Sequence, residues 1–143
     1  MSKADYPFFF PFRVRYSETD AQGVVFNAHY LTYFDTAIYE YFRSLPFDFL
    51  EHLNQYGADF HTVHVELDFL APACFDDEIE THVKTIKIGR SSLKFEVAIY
   101  HKQCDSILVK GSVVWVYVDK NTRQASALPK QLIERINTSE SSN

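Results

Sequence analysis

Residues 15–35 read RYSETDAQGVVFNAHYLTYFD, and the change of period across this stretch decides the fold. Before Gly23, the run RVRYSE (13–18) alternates, with Val14 and Tyr16 on one face, which predicts a first strand. TDAQG then turns the chain. From about Ala28 to Leu45, Leu31, Phe34, Ile38, Tyr41 and Phe42 recur at three- and four-residue steps, the spacing of one helical face. Tyr30, Tyr33, Ala37 and Tyr39 widen the apolar side, so the helix is expected to be covered from several directions. Pro46 ends it or starts a short second helix through FDFLEHL, and Gly57 closes the region.

After Gly57 the period changes to two. Val63, Val65, Leu67 and Phe69 alternate with His64, Glu66 and Asp68; Ile79, Thr81 and Val83 alternate with Glu80, His82 and Lys84. Leu93, Phe95, Val97 and Ile99 form a third run, and Ile107 to Val118 a fourth, in which VVWVYV reads as covered on both faces. Strands with short connections are expected to pair antiparallel with their neighbours in sequence. One helix cannot cover both faces of a five-stranded sheet, so the expected solution is an α+β fold in which a strongly curved sheet wraps the helix. Its edges or second face then need solvent or a second copy of the chain, and a dimer is expected. Residues 1–143 read as one domain with a core over about 13–118. A short amphipathic helix carrying Leu132, Ile133 and Ile136 is expected at about 129–137, followed by a frayed tail in NTSESSN.

Composition narrows the function. Thirteen Phe and nine Tyr in 143 residues favour an aromatic-packed core, with some surplus for a subunit interface. A net charge of −5 with no basic block argues against nucleic acid as a partner. The opening MSKADYPFFFPF has too short an apolar run, broken by prolines, for a signal peptide or a membrane span, so a cytoplasmic location is expected. Cys74 and Cys104 read as free thiols. His61 and His64, three apart in a strand, are expected on opposite faces, and no spacing suggests a zinc site; no metal and no cofactor are expected. GRSSL (89–93) lacks the pattern and context of a serine hydrolase elbow.

Asp20 precedes the helix and has two readings. An acid there commonly caps amides at the positive end of a helix. The same place suits chemistry: helix amides near residues 26–28 lack intrahelical partners and could polarise a thioester carbonyl. Asp20, one turn of chain away across Gly23, could face the carbonyl carbon as general base or nucleophile. The residues alone leave both readings open.

RYSETDAQGVVFNAHYLTYFD resembles the opening signature of the 4-hydroxybenzoyl-CoA thioesterase family, acyl-CoA thioesterases with the hotdog fold. VELDFLAPACFDDEIETHV (65–83) and IGRSSLKFEVAIY (88–100) agree in the expected order, and the similarity runs from about Arg13 to Val118. The resemblance implies Asp20 as the catalytic carboxylate, Gly23 as the glycine after it, and the backbone amide of Asn27 as the donor to the thioester carbonyl. Phe26, His29 and Tyr30 then fall at substrate-binding positions. Gly89, Arg90, Ser91 and Ser92 line the pantetheine and acyl pocket, with Arg90 either meeting a CoA phosphate or simply solvated. The chain departs from its relatives at Asn27, often Tyr or His, at Phe26, often Tyr, and at His29, commonly Asn. Asn27 cannot titrate, and for His29 an assisting and a structural role stand level. Another hotdog branch uses a Glu on the long helix, for which Asp35 or Glu40 could be offered; Asp35 is expected to border the site or the interface.

The expectation is therefore an acyl-CoA thioesterase that hydrolyses an acyl- or aroyl-CoA to free acid and CoA, as a homodimer or homotetramer with sites across the dimer interface. The alternatives are a hotdog hydrolase acting on acyl-carrier-protein thioesters, a dehydratase, and a non-catalytic acyl-CoA-binding subunit. Acyl identity is not written in the residues, because apolar pockets discriminate methylenes weakly.

Overall fold

The computed structural model describes residues 2–141. The elements are β1 (Phe8–Arg13), α1 (Asn27–Ser44), α2 (Phe49–Tyr56), β2 (Ala58–Phe69), β3 (Glu78–Ile88), β4 (Ser92–His101), β5 (Ile107–Asp119) and α3 (Lys130–Ser141). The strands form one antiparallel sheet in the order β1-β3-β4-β5-β2, curved around α1. This is the hotdog architecture expected from the periodicity and the motifs.

Tyr39, expected on the covered side of α1, stands 42% exposed and Leu31 is half-buried; the buried residues are Tyr30, Tyr33, Phe34, Ala37, Ile38, Tyr41 and Phe42, all of them predicted. They meet the inward rows of the sheet, Phe95, Val97 and Ile99 from β4 and Val113 and Trp115 from β5. The helix sits close because β5 carries Gly111 beneath it. A Cβ there would lie 2.1 Å from the Glu66 carbonyl oxygen and 3.1 Å from the Phe34 ring. Leu132 and Ile136 of α3 join the same core.

Four further expectations are corrected. The first strand is FFFPFR, one segment earlier than RVRYSE; Tyr16–Glu18 is a single 3-10 turn and Tyr16 is exposed. Pro11 is tolerated because β1 is an edge strand, where a missing N–H need not break the sheet. Consecutive β2 and β3 do not pair; β2 pairs β5 and becomes the opposite edge. A register shift between Thr62 and His64 puts His61 opposite Val116 and His64 opposite Val114, so the two histidines share a face and Val63 is left exposed. Finally, α3 continues to Ser141 rather than ending at 137; only the last two residues of the expected tail lie outside the described residues.

The outer face of the sheet is partly covered as well. Tyr6 packs with Ala98 and Tyr100 in a small second cluster, and the N-terminal segment buries His82 to 3% exposure.

Candidate active site

Residues 18–26 form a small clasp ahead of α1. The Phe26 amide donates to the Glu18 carbonyl at 2.9 Å, Thr19 bridges Val25, and the Asp20 amide donates to the Val24 carbonyl at 2.9 Å. The loop closes where the Gly23 amide reaches the Asp20 carbonyl at 3.0 Å, with Gly23 at φ 79°, a left-handed conformation that favours glycine. A second set of bonds ties the clasp to the sheet end: the Val25 amide donates to the Ala73 carbonyl at 2.9 Å.

Asp20 is half-buried, and its Oδ1 accepts the Gln22 amide at 2.8 Å, a turn held by the side chain. It does not cap α1: the residue at the helix cap is Phe26, and no side chain bonds the cap amides. The first helical amides are therefore distinct from those expected in one respect. Phe26 spends its amide on Glu18 and His29 spends its own on the Phe26 carbonyl, while those of Asn27 and Ala28 donate to no backbone carbonyl among the described residues. Two adjacent donors remain at the positive end of the helix dipole, where negative charge is stabilised.

Beside them lies a cavity of about 230 Å³ lined by Val24, Val25, Asn27, Tyr30 and the segment Phe69–Pro72. The Tyr30 hydroxyl is occupied, accepting the Ala73 amide at 3.1 Å, and burial pushes its phenol up. Phe26, just before α1, stands 52% exposed, with the half-buried His29 ring 6.2 Å from it.

The Gly89–Ser92 turn is elsewhere in the chain. Ser92 pairs with Val116, which pairs with His61, whereas the cavity adjoins Phe69 at the far end of β2. At the rise of a strand, about 3.3 Å per residue, the separation is roughly 25 Å. One chain brings Asp20, Gly23, Phe26, Asn27, His29 and Tyr30 together and leaves Gly89, Arg90, Ser91 and Ser92 apart. Glu40 pairs with Arg43 at 3.8 Å on the surface, and Asp35 keeps a buried Oδ1 without a partner, its carboxyl raised by burial.

Sequence reasoning passed over Glu18 and Tyr33. Glu18 is 5% exposed; its carboxylate accepts the Arg15 amide at 2.8 Å, the Arg15 guanidinium at 2.9 Å and the Tyr33 hydroxyl at 2.8 Å. Burial alone would raise this carboxyl, but the bonds from Arg15 and Tyr33 outweigh it and hold it below the usual range. The spacing Arg15-x-x-Glu18, an acid reaching back to an amide three residues earlier, was the available signal.

The sequence profile of the thioesterase superfamily matches residues 22–108, a span that begins just after Asp20. The chain belongs to the thioesterase superfamily. This thioesterase is 30% identical over 128 residues to the acyl-CoA thioesterase YbgC of Haemophilus influenzae, across 90% of its own length and 93% of that protein. It is 26% identical over 125 residues to the 1,4-dihydroxy-2-naphthoyl-CoA hydrolase of Nostoc punctiforme, covering 87% and 83%. A crystal structure of a Thermus thermophilus thioesterase complexed with coenzyme A and zinc superposes with a TM-score of 0.81 at 29% identity, covering 96% of each chain. The thioesterase is thus a thioester hydrolase by family. Among its described residues no group of three His, Cys, Asp or Glu is placed to hold a metal ion, and no helix is long and apolar enough to cross a membrane.

Proposed function

We propose that the thioesterase hydrolyses an acyl- or aroyl-CoA to the free acid and CoA, with Asp20 as the acting carboxylate and the Asn27 amide as the donor to the carbonyl. The observation that carries this is the pair of unused amides, Asn27 and Ala28, of which Asn27 lines a cavity beside the Asp20 clasp. A thioester oxygen seated there gains donors as negative charge develops on it. The Asp20 carboxylate then follows one of two routes. It adds to the carbonyl carbon and expels the CoA thiolate, leaving a mixed anhydride that water opens; or it takes a proton from water as that water adds. Both need the ionised carboxylate and both end in acid and thiol.

The second half of the site is assigned to a partner copy. β2 is an edge strand of twelve residues, and edges are met by pairing. Antiparallel pairing of two β2 edges about a two-fold axis sets the Ala58 end of one copy beside the Phe69 end of the other. That carries the partner's Gly89–Ser92 turn towards the cavity, where a guanidinium such as Arg90 suits a CoA phosphate.

Asp20→Asn keeps the shape and removes the charge. Thiol release from a panel of short, long, branched and aromatic acyl-CoAs is expected to fall about 10²- to 10⁴-fold in kcat. A variant turning over at the wild-type rate overturns the assignment.

A further inference from the structure

The clasp that presents Asp20 runs directly into the helix that presents the Asn27 amide, and their relative placement needs a cause. Glu18 ties them together through its side chain as well as its backbone. Glu18 gives its carbonyl to the Phe26 amide at 2.9 Å, fixing the base of the clasp at the residue before α1. Its carboxylate reaches Tyr33, in the second turn of α1, at 2.8 Å, and Arg15, ahead of the clasp, through the backbone amide and the guanidinium. We infer that Glu18, through its bond to Tyr33, is a positioning residue that sets the Asp20 carboxylate against the free Asn27 and Ala28 amides. This rests on the assignment of Asp20 to the chemistry.

The physical case is that Glu18 is committed at every point. It is 5% exposed, so its carboxylate cannot trade protein donors for water without opening the clasp. Tyr33 is 2% exposed with its ring 5.1 Å from Phe12 and 6.1 Å from Tyr30, so its hydroxyl is aimed by packing. Glu18 bonded to an immobile phenol cannot drift along the helix, and neither can Asp20, two residues on. The carboxylate is not itself a candidate for attack, since Arg15 and Tyr33 occupy both of its oxygens.

The test compares Tyr33→Phe and Glu18→Gln, each alone and combined with Asp20→Asn, by steady-state thiol release and melting midpoint. Tyr33→Phe keeps the ring and removes only the hydroxyl, so it reports even if Glu18→Gln folds poorly. A misplaced reacting group costs up to about 100-fold, so kcat in Tyr33→Phe is expected to fall about 10- to 100-fold with KM within a factor of about two. In the Asp20→Asn background the same change is expected to lower kcat no further, because there is no carboxylate left to misplace. Wild-type kcat in Tyr33→Phe, or an equal loss with and without Asp20, overturns the role of Glu18 while leaving Asp20 standing. Wild-type kcat in Asp20→Asn alone removes the assignment beneath it.

Discussion

His82 has its Nε2 3.1 Å from Glu80 Oε1, while its Nδ1 is buried with no partner. Phe9 stacks on the ring at 5.0 Å, and Tyr100 and Tyr6 meet it edge-on at 5.2 and 5.7 Å. Burial lowers its pKa, against a smaller raising effect of Glu80, and Lys3, itself 3.2 Å from Glu80, lowers it further. Because the folded form resists the proton, the stability supplied by neutral His82 is complete above the ordinary imidazole range, near pH 6.5, and is lost as pH falls through that range towards the folded value. His82→Phe keeps an aromatic ring and removes the titration. The difference in melting midpoint between wild type and variant is expected to shift in favour of His82→Phe between about pH 7 and 5. A difference that stays constant over that interval contradicts the reading.

α3 shows how an element is held by a few polar atoms. Glu140 accepts the hydroxyl of the fully buried Tyr41, and its oxygens take the Thr85 amide at 3.2 and 3.1 Å. Thr85 flanks the register shift in β3, so the helix supplies an acceptor where the ladder is interrupted. Burial, and then Glu140 itself, push the Tyr41 phenol far up, so it stays a donor. Glu140→Ala leaves a buried hydroxyl and an amide unsatisfied, and a loss of about 1–3 kcal/mol in chemical denaturation is expected. Tyr41→Phe added to Glu140→Ala is expected to lose less than the sum of the two, as contacting residues do. The end of this helix illustrates what was legible. NTSESSN is polar throughout, and polarity says nothing of one glutamate turned inward. Likewise β1 was hidden because prolines read as breaks, although an edge strand admits them, and the shift at Val63 cannot be seen in an alternation that looks regular. α1 and the inward rows of β4 and β5 were legible because their periods, 3.6 and 2, persist over many residues. At the site, Asp20 and Asn27 lay in a contiguous motif. Tyr33 lies fifteen residues beyond Glu18, and its role depends on which way one hydroxyl points.

At the scale of the whole molecule, the separation of Arg90 from Asp20 in one chain sets a sharper question than the oligomeric mass alone. If the partner supplies Arg90, each site of a dimer draws Asp20 from one copy and Arg90 from the other. On the proposed assignment, Asp20→Asn lacks the acting carboxylate and Arg90→Ala is expected to weaken CoA binding at both sites. Unfolded together and refolded as a mixture, half of the dimers pair one variant with the other. In these, one site collects both defects and the other has none. With substrate held well below KM, the mixture is expected to recover about a quarter of the wild-type rate per chain, above the mean of the two variants refolded separately. Were Arg90 to serve the Asp20 of its own chain, no mixed dimer would hold an intact site, and the mixture would show only the mean. Light scattering on the same samples fixes the mass of the species that carries the recovered activity. A recovered rate in a monomer, or no recovery in a dimer, rejects the shared site.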